Sequence, residues 1–317
     1  MNERLKWPDF CKFLAMFLVT WDHASQVISG QIFNNLFGGG GFAAVHMPLF
    51  FIISGYFINL EKMRATAVVP FVRKKFEHLM VPAIVWTCLY CLLTMTGKGP
   101  LTFLTFYWYL FSLFMSFAII FAFCKFIKNN NMVLLLSVLT VLFMPYTDIA
   151  NLNFMFPFLW VGYLLRVYSL KKSNIMFSMS FILTVCLLYI WNWDYTVYLS
   201  RFNSVHVTAD MIEKFLVRFT IGVSASYMII WIAKRHENKW MIYRFSQYGQ
   251  YTLITYVASL LLFGVIRKYI PINIEGCGLL ELLSFVLCVI TYIACICLQK
   301  AVFNNKHASL LLLGINK

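Results

Sequence analysis

Charge is scarce in this chain. Only 12 % of its 317 residues are charged, 61 % are hydrophobic, and the mean hydropathy is +0.76. Soluble domains carry about 25 % charged and about 45–50 % apolar residues, so a soluble globular fold is excluded. A long polar segment, a low-complexity tail and a clear internal repeat are also missing. Acidic residues are the scarcer sign, 12 against 26 basic, for a net charge of +14. Such an excess can signal nucleic acid. Here the Lys and Arg residues lie in short loops between apolar runs, where the positive-inside rule puts them, and a nucleic-acid partner is set aside. There is no glycine-rich nucleotide loop, no Ser-His-Asp order and no metal-ligand cluster. The nine cysteines fall mostly within apolar runs. Cys88 with Cys91, and Cys295 with Cys297, have the spacing of metal pairs without a matching second pair. They read as small packing residues, and no metal is expected.

What is present is a series of apolar runs of membrane-spanning length. They predict an all-α polytopic integral membrane protein of about ten transmembrane helices, near 9–28, 42–60, 79–96, 101–124, 132–147, 152–168, 175–193, 212–233, 247–268 and 279–300. The fifth is short and ends at Pro145. Residues 1–317 read as one transmembrane domain without a separate soluble part. With a cytoplasmic N-terminus, nineteen Lys and Arg residues fall on the cytoplasmic side and six on the other, leaving Lys12 inside a span. Both termini are then expected in the cytoplasm. The basic start and following apolar run also fit a cleaved signal peptide. The Asp-His pair at the far end of the run does not, and the segment is expected to be retained.

That pair belongs to the most informative stretch, FCKFLAMFLVTWDHASQVI, from Phe10 to Ile28. An ionisable group at the centre of a span costs roughly 2.5–3.5 kcal/mol even on lenient scales, and such groups usually face a polar pocket. Lys12 and His23 are eleven positions apart, about 20° from a common helix face and about 16 Å along the axis. The spacing links the start of the span to a point past its middle. Asp22 turns about 100° away from His23 and is free to serve another partner. In the expected topology the second span returns through VHMPLFFIISGYF and brings His46 to the outer half. His23 and His46 fit either a general base with an acceptor-positioning partner or interhelical hydrogen bonding alone.

The segment FVRKKFEHLMVP, Phe71 to Pro82, reads as a loop and helix start with the densest basic patch. Its charges fit cofactor or lipid phosphates, or simply a basic cytoplasmic loop. The Gly38–Gly41 run reads as a connector or as a close approach for a glycan. The WNWDY cluster, Trp191 to Tyr195, fits sugar stacking through Trp191 and Trp193, or an interfacial aromatic belt. Arg201, His206 and Asp210 lie in the same loop as candidate contacts to acceptor hydroxyls or a lipid diphosphate.

The opening WPDFCKFLAMFLVTWDH resembles that of the acyltransferase-3 family, matching at Trp7, Asp9, Lys12 and His23. HMPLFFIISGYF, from His46 to Phe57, is similar to the family's second-span signature, above all in the fucose 4-O-acetylase-like branch. The basic Arg-x-x-Arg motif falls on Lys75 and His78, ahead of Leu79 and Pro82. Weaker echoes follow at Trp108, around Gly162 and from Tyr248 to Ser259. The resemblance implies about ten spans in a bacterial inner membrane and transfer of an acyl group, commonly acetyl, from cytoplasmic acetyl-CoA, a substrate, to a surface glycan such as O-antigen or to a polyprenyl-linked saccharide. It implies His23 as catalytic residue with Lys12 coupled to it, and Lys12, Lys75 and Arg73 at CoA. The residues themselves add Asp22 and His46 beside His23, Lys74 and His78 as further CoA contacts, and Trp191, Trp193 and Arg201 toward the acceptor. Two departures stand out. His78 replaces a forked, permanently charged arginine, for which Arg73 or Lys74 would compensate, and Ser259 stands where many relatives have a histidine. The competing reading is a transporter or flippase of a lipid-linked saccharide, which needs no acyl-CoA.

Overall fold

The computed structural model describes residues 4–30, 41–94, 106–144, 151–168, 173–191, 195, 207–270, 272 and 277–315. Among them no strand occurs. The helices are α1 (Lys6–Ile28), α2 (Ala43–Tyr56), α3 (Leu60–Ala65), α4 (Val68–Lys75), a π-turn (Phe76–Met80), α5 (Val81–Thr94), α6 (Trp108–Phe126), α7 (Asn130–Leu142), α8 (Leu152–Val167), α9 (Asn174–Tyr189) and α10 (Ala209–Arg235). The chain continues through α11 (Trp240–Ser246), a 3₁₀ turn (Gly249–Tyr251), α12 (Thr252–Tyr269), α13 (Cys277–Phe303) and α14 (Lys306–Leu313). Five helical stretches are long and apolar enough to cross a membrane: Val68–Thr94, Trp108–Phe126, Ala209–Arg235, Trp240–Tyr269 and Gly278–Phe303. Four shorter apolar helices accompany them, α2, α7, α8 and α9. A helix stands at each position where the sequence predicts a span.

Helix α1 is the central post and packs on α2, α10, α12 and α13. Leu5 offers no side-chain cap. Instead Glu237, just past α10, accepts from the backbone N–H of Lys6 at 2.7 Å and of Trp7 at 3.2 Å, satisfying two of the helix's orphan donors with a carboxylate at the positive end of its dipole. Pro8 is tolerated because it lies in the first turn, where no N–H is needed. The Trp7 ring meets Tyr56 edge-on at 4.9 Å, and the Lys234 ammonium lies over both rings at 4.5 and 4.4 Å. The motif tryptophan thereby ties α1 to the end of α2 and to α10.

The closest helix pair is α2 with α8. A Cβ at Gly55 would overlap the Leu159 carbonyl, and one at Gly162 would overlap that of Ile52. The two backbones therefore touch, as small residues permit between membrane helices. At the periphery, α9 packs on α10, joined by a Thr184–Ser224 hydroxyl bond of 2.7 Å. It leaves Ile175, Met179, Ile182 and Val185 exposed, an apolar face suited to lipid.

One expectation is corrected. FVRKKFEHLMVP does not begin as a loop: the backbone is helical from Val68, runs through the π-turn and continues as α5. A π-turn inserts a residue into the helical ladder and rotates the facing of the residues beyond it, so this basic segment is a helix with a local break.

Candidate functional site

A cavity of about 320 Å³ opens among α1, α2, α4, the π-turn, α6 and α12. Its cationic wall is Lys12, Lys75 and His78; Lys12 lies 63 or more positions from the other two along the chain, yet all three line one space. Met16, Met47, Phe50, Tyr109, Phe117 and Tyr256 supply apolar and aromatic walls. The α2 lining runs from Phe57 to Met47, about 15 Å at 1.5 Å per residue.

Each cation at the mouth has a partner. Lys12, read from sequence as a charge at the start of the span, has a side chain 36 % exposed and lies 3.5 Å from Asp9, which also accepts from Arg4 at 2.6 Å. One turn of helix puts Asp9 and Lys12 on one face, which explains why the opening motif holds both. The Lys75 ammonium sits 3.4 Å from the Phe117 ring centroid, a cation–π contact. His78 Nδ1 donates to the Gly314 carbonyl at 3.3 Å. Arg73 and Lys74 do not line the cavity. Arg73 pairs with Glu77 at 2.8 Å and faces a separate apolar groove with Val69 and Phe76. Consecutive helical residues point about 100° apart, so of this run of three cations only Lys75 faces the cavity.

His46 stands next to Met47 at the deep end. It is 5 % exposed, and neither ring nitrogen has a hydrogen-bond partner. His23, half-buried on α1, is close enough to His46 for electrostatic coupling. The Gln26 side chain lies beside the His23 ring, near enough to influence it. The Gln26 amide donates from Nε2 to Asp22 Oδ2 at 3.2 Å, which leaves its carbonyl oxygen to accept a His23 ring N–H. Asp22 Oδ1 is buried without a partner. Asp22 thus reaches His23 through Gln26 rather than directly. At the same end Arg267 of α12 donates to the Gln26 backbone carbonyl at 3.2 Å.

The structure brings together Lys12, Lys75 and His78, and separately Asp22, His23 and His46. Trp191 packs beside Ala44, Val45, Ile221 and Ala225 and does not line the cavity. Tyr195 stacks loosely on it at 5.8 Å and donates to Glu213 at 2.8 Å, a bond that raises the phenol above its usual range. Trp193, Arg201, His206 and Gly38–Gly40 lie outside the described residues. Asp210 pairs with Lys214 at 2.9 Å. Ser259 is fully buried and bonds back to Tyr256 of its own helix at 3.4 Å. Sequence reasoning missed Gln26, although its i+4 and i+3 spacing from Asp22 and His23 is the pairing rule of a helix face. It also missed Tyr109 and Gly314, which no local pattern marks.

The fold and cavity define a helical membrane protein with a basic cavity mouth and an apolar, aromatic interior that ends beside His46. The acyltransferase-3 family profile, an acyltransferase domain, matches residues 5–299, and the chain belongs to that family. It is similar to nodulation protein NolL of Sinorhizobium fredii (strain NBRC 101917 / NGR234), 27 % identical over 249 residues, which cover 69 % of this chain and 65 % of NolL. No solved structure matches.

Proposed function

We propose that this membrane acyltransferase moves an acetyl group from acetyl-CoA to a hydroxyl of a surface glycan or lipid-linked saccharide, as in the fucose 4-O-acetylase-like branch. The observation that carries the reading is the cavity, which leads from two lysines and His78 to the neighbour of His46. An anionic donor would place its phosphates at Lys12 and Lys75, with His78 Nε2 accepting from a neighbouring hydroxyl or amide of the donor, and its pantetheine arm along Met16, Phe50 and Tyr109. The thioester would then meet the histidine end.

In this reading His23, oriented by Gln26, takes the proton of the acceptor hydroxyl. The oxygen attacks the thioester carbonyl, a C–O bond forms, the C–S bond breaks, and the proton passes to the departing thiolate. His46 binds the acceptor. The topology that suits this route has ten crossings of a bacterial inner membrane, with both termini and the cationic mouth in the cytoplasm. The basic residues of the sequence favour it.

The test uses purified protein in vesicles, with radiolabelled acetyl-CoA and a candidate glycan. Intact protein should transfer label, and His23→Ala should lower kcat about 10²- to 10⁴-fold, the usual range for a general base. Unchanged transfer in His23→Ala refutes the assignment. Translocation of a lipid-linked saccharide without any acyl transfer would refute the enzyme reading as a whole.

A further inference from the structure

The last helix, α14, lies beyond the family match, which ends at residue 299, yet it reaches the cavity mouth. Asn305 caps it by accepting from Ala308 N at 3.1 Å. The helix packs along α5 and the π-turn, and Leu313 is 1 % exposed. At its C-terminal end, two carbonyls accept bonds from elsewhere in the chain. Leu312 O accepts from Trp86 Nε1 at 3.0 Å, and Gly314 O accepts from His78 Nδ1 at 3.3 Å. A carbonyl can only accept, so His78 must carry a hydrogen on Nδ1. The tautomer and the plane of a ring that lines the cavity are therefore set by the C-terminal end of the chain.

Gly314 is fitted to this contact in two ways. Its φ of 63° lies in the left-handed region that favours glycine. A Cβ there would come within 2.6 Å of the His78 carbonyl and 2.7 Å of the Glu77 carbonyl, both backbone atoms of the π-turn that cannot swing aside as a side chain would. The contact is thus backbone against backbone at the one break in the helix that bears Lys75 and His78. Moving Gly314 moves the break.

We propose that α14 is a latch for the donor site, with Gly314 a positioning residue that holds His78 and the π-turn in register with Lys75 and Lys12. The inference rests on the reading of the cavity as the acetyl-CoA site. With Nδ1–H committed to Gly314, the neutral ring leaves Nε2 as an acceptor for a hydroxyl or amide N–H of the donor, and the latch decides where it points. Binding of the donor depends on this arrangement; the proton transfer at His23 does not.

The experiment compares intact protein with Gly314→Val, His78→Leu and the double variant, all full-length in vesicles with acetyl-CoA. Each single variant should raise KM for acetyl-CoA about tenfold, the effect of one lost hydrogen bond to the ligand, with kcat within about twofold. The double variant should be no worse than His78→Leu, because both changes act on one contact. Gly314→Ala serves as a milder change if the valine variant does not fold. An unchanged KM, or effects that multiply, would overturn the latch. A readout without ligand separates its failure from that of the donor reading. The ¹⁵N shift of the His78 ring should move in Gly314→Val, and a fixed shift overturns the latch. If intact protein shows no saturation by acetyl-CoA while the ring shift still moves, the donor reading fails and the latch stands.

Discussion

Replacing Gln26 by methionine, close in volume and without hydrogen-bonding groups, tests whether Asp22 acts on His23 through this amide. The substitution removes the 3.2 Å bond to Asp22 Oδ2 and the polar amide beside the His23 ring. Asp22 is 7 % exposed and its Oδ1 already lacks a partner, so the variant leaves the whole carboxyl group unsatisfied. A buried polar group that loses its partner costs about 1–3 kcal/mol. Part of that appears as lower stability, and the freed imidazole loses its fixed orientation. If about 1.4–2.7 kcal/mol of it falls on the transition state, kcat drops roughly 10- to 100-fold. The Gln26 side chain is about fourteen positions, or roughly 21 Å of helix, from Lys12, so KM for acetyl-CoA should stay within about twofold. The assay is steady-state acetyl transfer in vesicles, with thermal unfolding measured in parallel. Combined with His23→Ala, the methionine should cost nothing further, because residues acting through one group are not additive. A kcat within about twofold of the intact protein would refute the relay, as would a multiplied loss in the double variant.

Lys12→Ala should raise KM for acetyl-CoA about tenfold at low salt with little change in kcat, and the difference should narrow as ionic strength rises and screens the mouth. A salt-independent difference, measured by donor titration, would argue against a phosphate contact. Gly162→Ala places a Cβ on the Ile52 carbonyl and should destabilise the α2–α8 contact by about 1–3 kcal/mol. An unchanged unfolding temperature in detergent would refute the backbone contact.

The helices are legible in the sequence because apolar runs of span length leave little choice of structure, and each expected span finds a helix. Their number of crossings is a separate matter, since α2, α7, α8 and α9 are short. Lys12 and His23 are legible as a pair because one helix sets their spacing. The join of Lys12 with Lys75 and His78 is visible only through resemblance, since it depends on how α1 and α4 pack. The split of Arg73 from Lys75 depends on a helix where the basic run suggests a loop. Gly314 is hidden for a different reason. A glycine near a chain end has many ordinary explanations, and only the packed π-turn reveals the steric demand on it.

The polar groups at the two ends of this site are held differently, and the contrast bears on which end awaits which substrate. At the mouth, Asp9, Phe117 and Gly314 partner Lys12, Lys75 and His78, so the cations are stable before any donor arrives, and an anion would exchange contacts rather than create them. At the histidine end, Asp22 Oδ1, Ser25 Oγ and both nitrogens of His46 are buried without partners. Each such atom costs about 1–3 kcal/mol unless something satisfies it. Several unsatisfied atoms at one end of α1 and α2 disfavour the empty state, and a ligand rich in hydroxyl groups would relieve them by donating to the carboxylate and imidazole while accepting from the serine. An acyl-CoA thioester, with one weak acceptor at its reacting end, would relieve few. On the proposed function, the unpaired end would suit the saccharide and the paired end the nucleotide. His23, held by Gln26 beside this end, stands where the two substrates would meet.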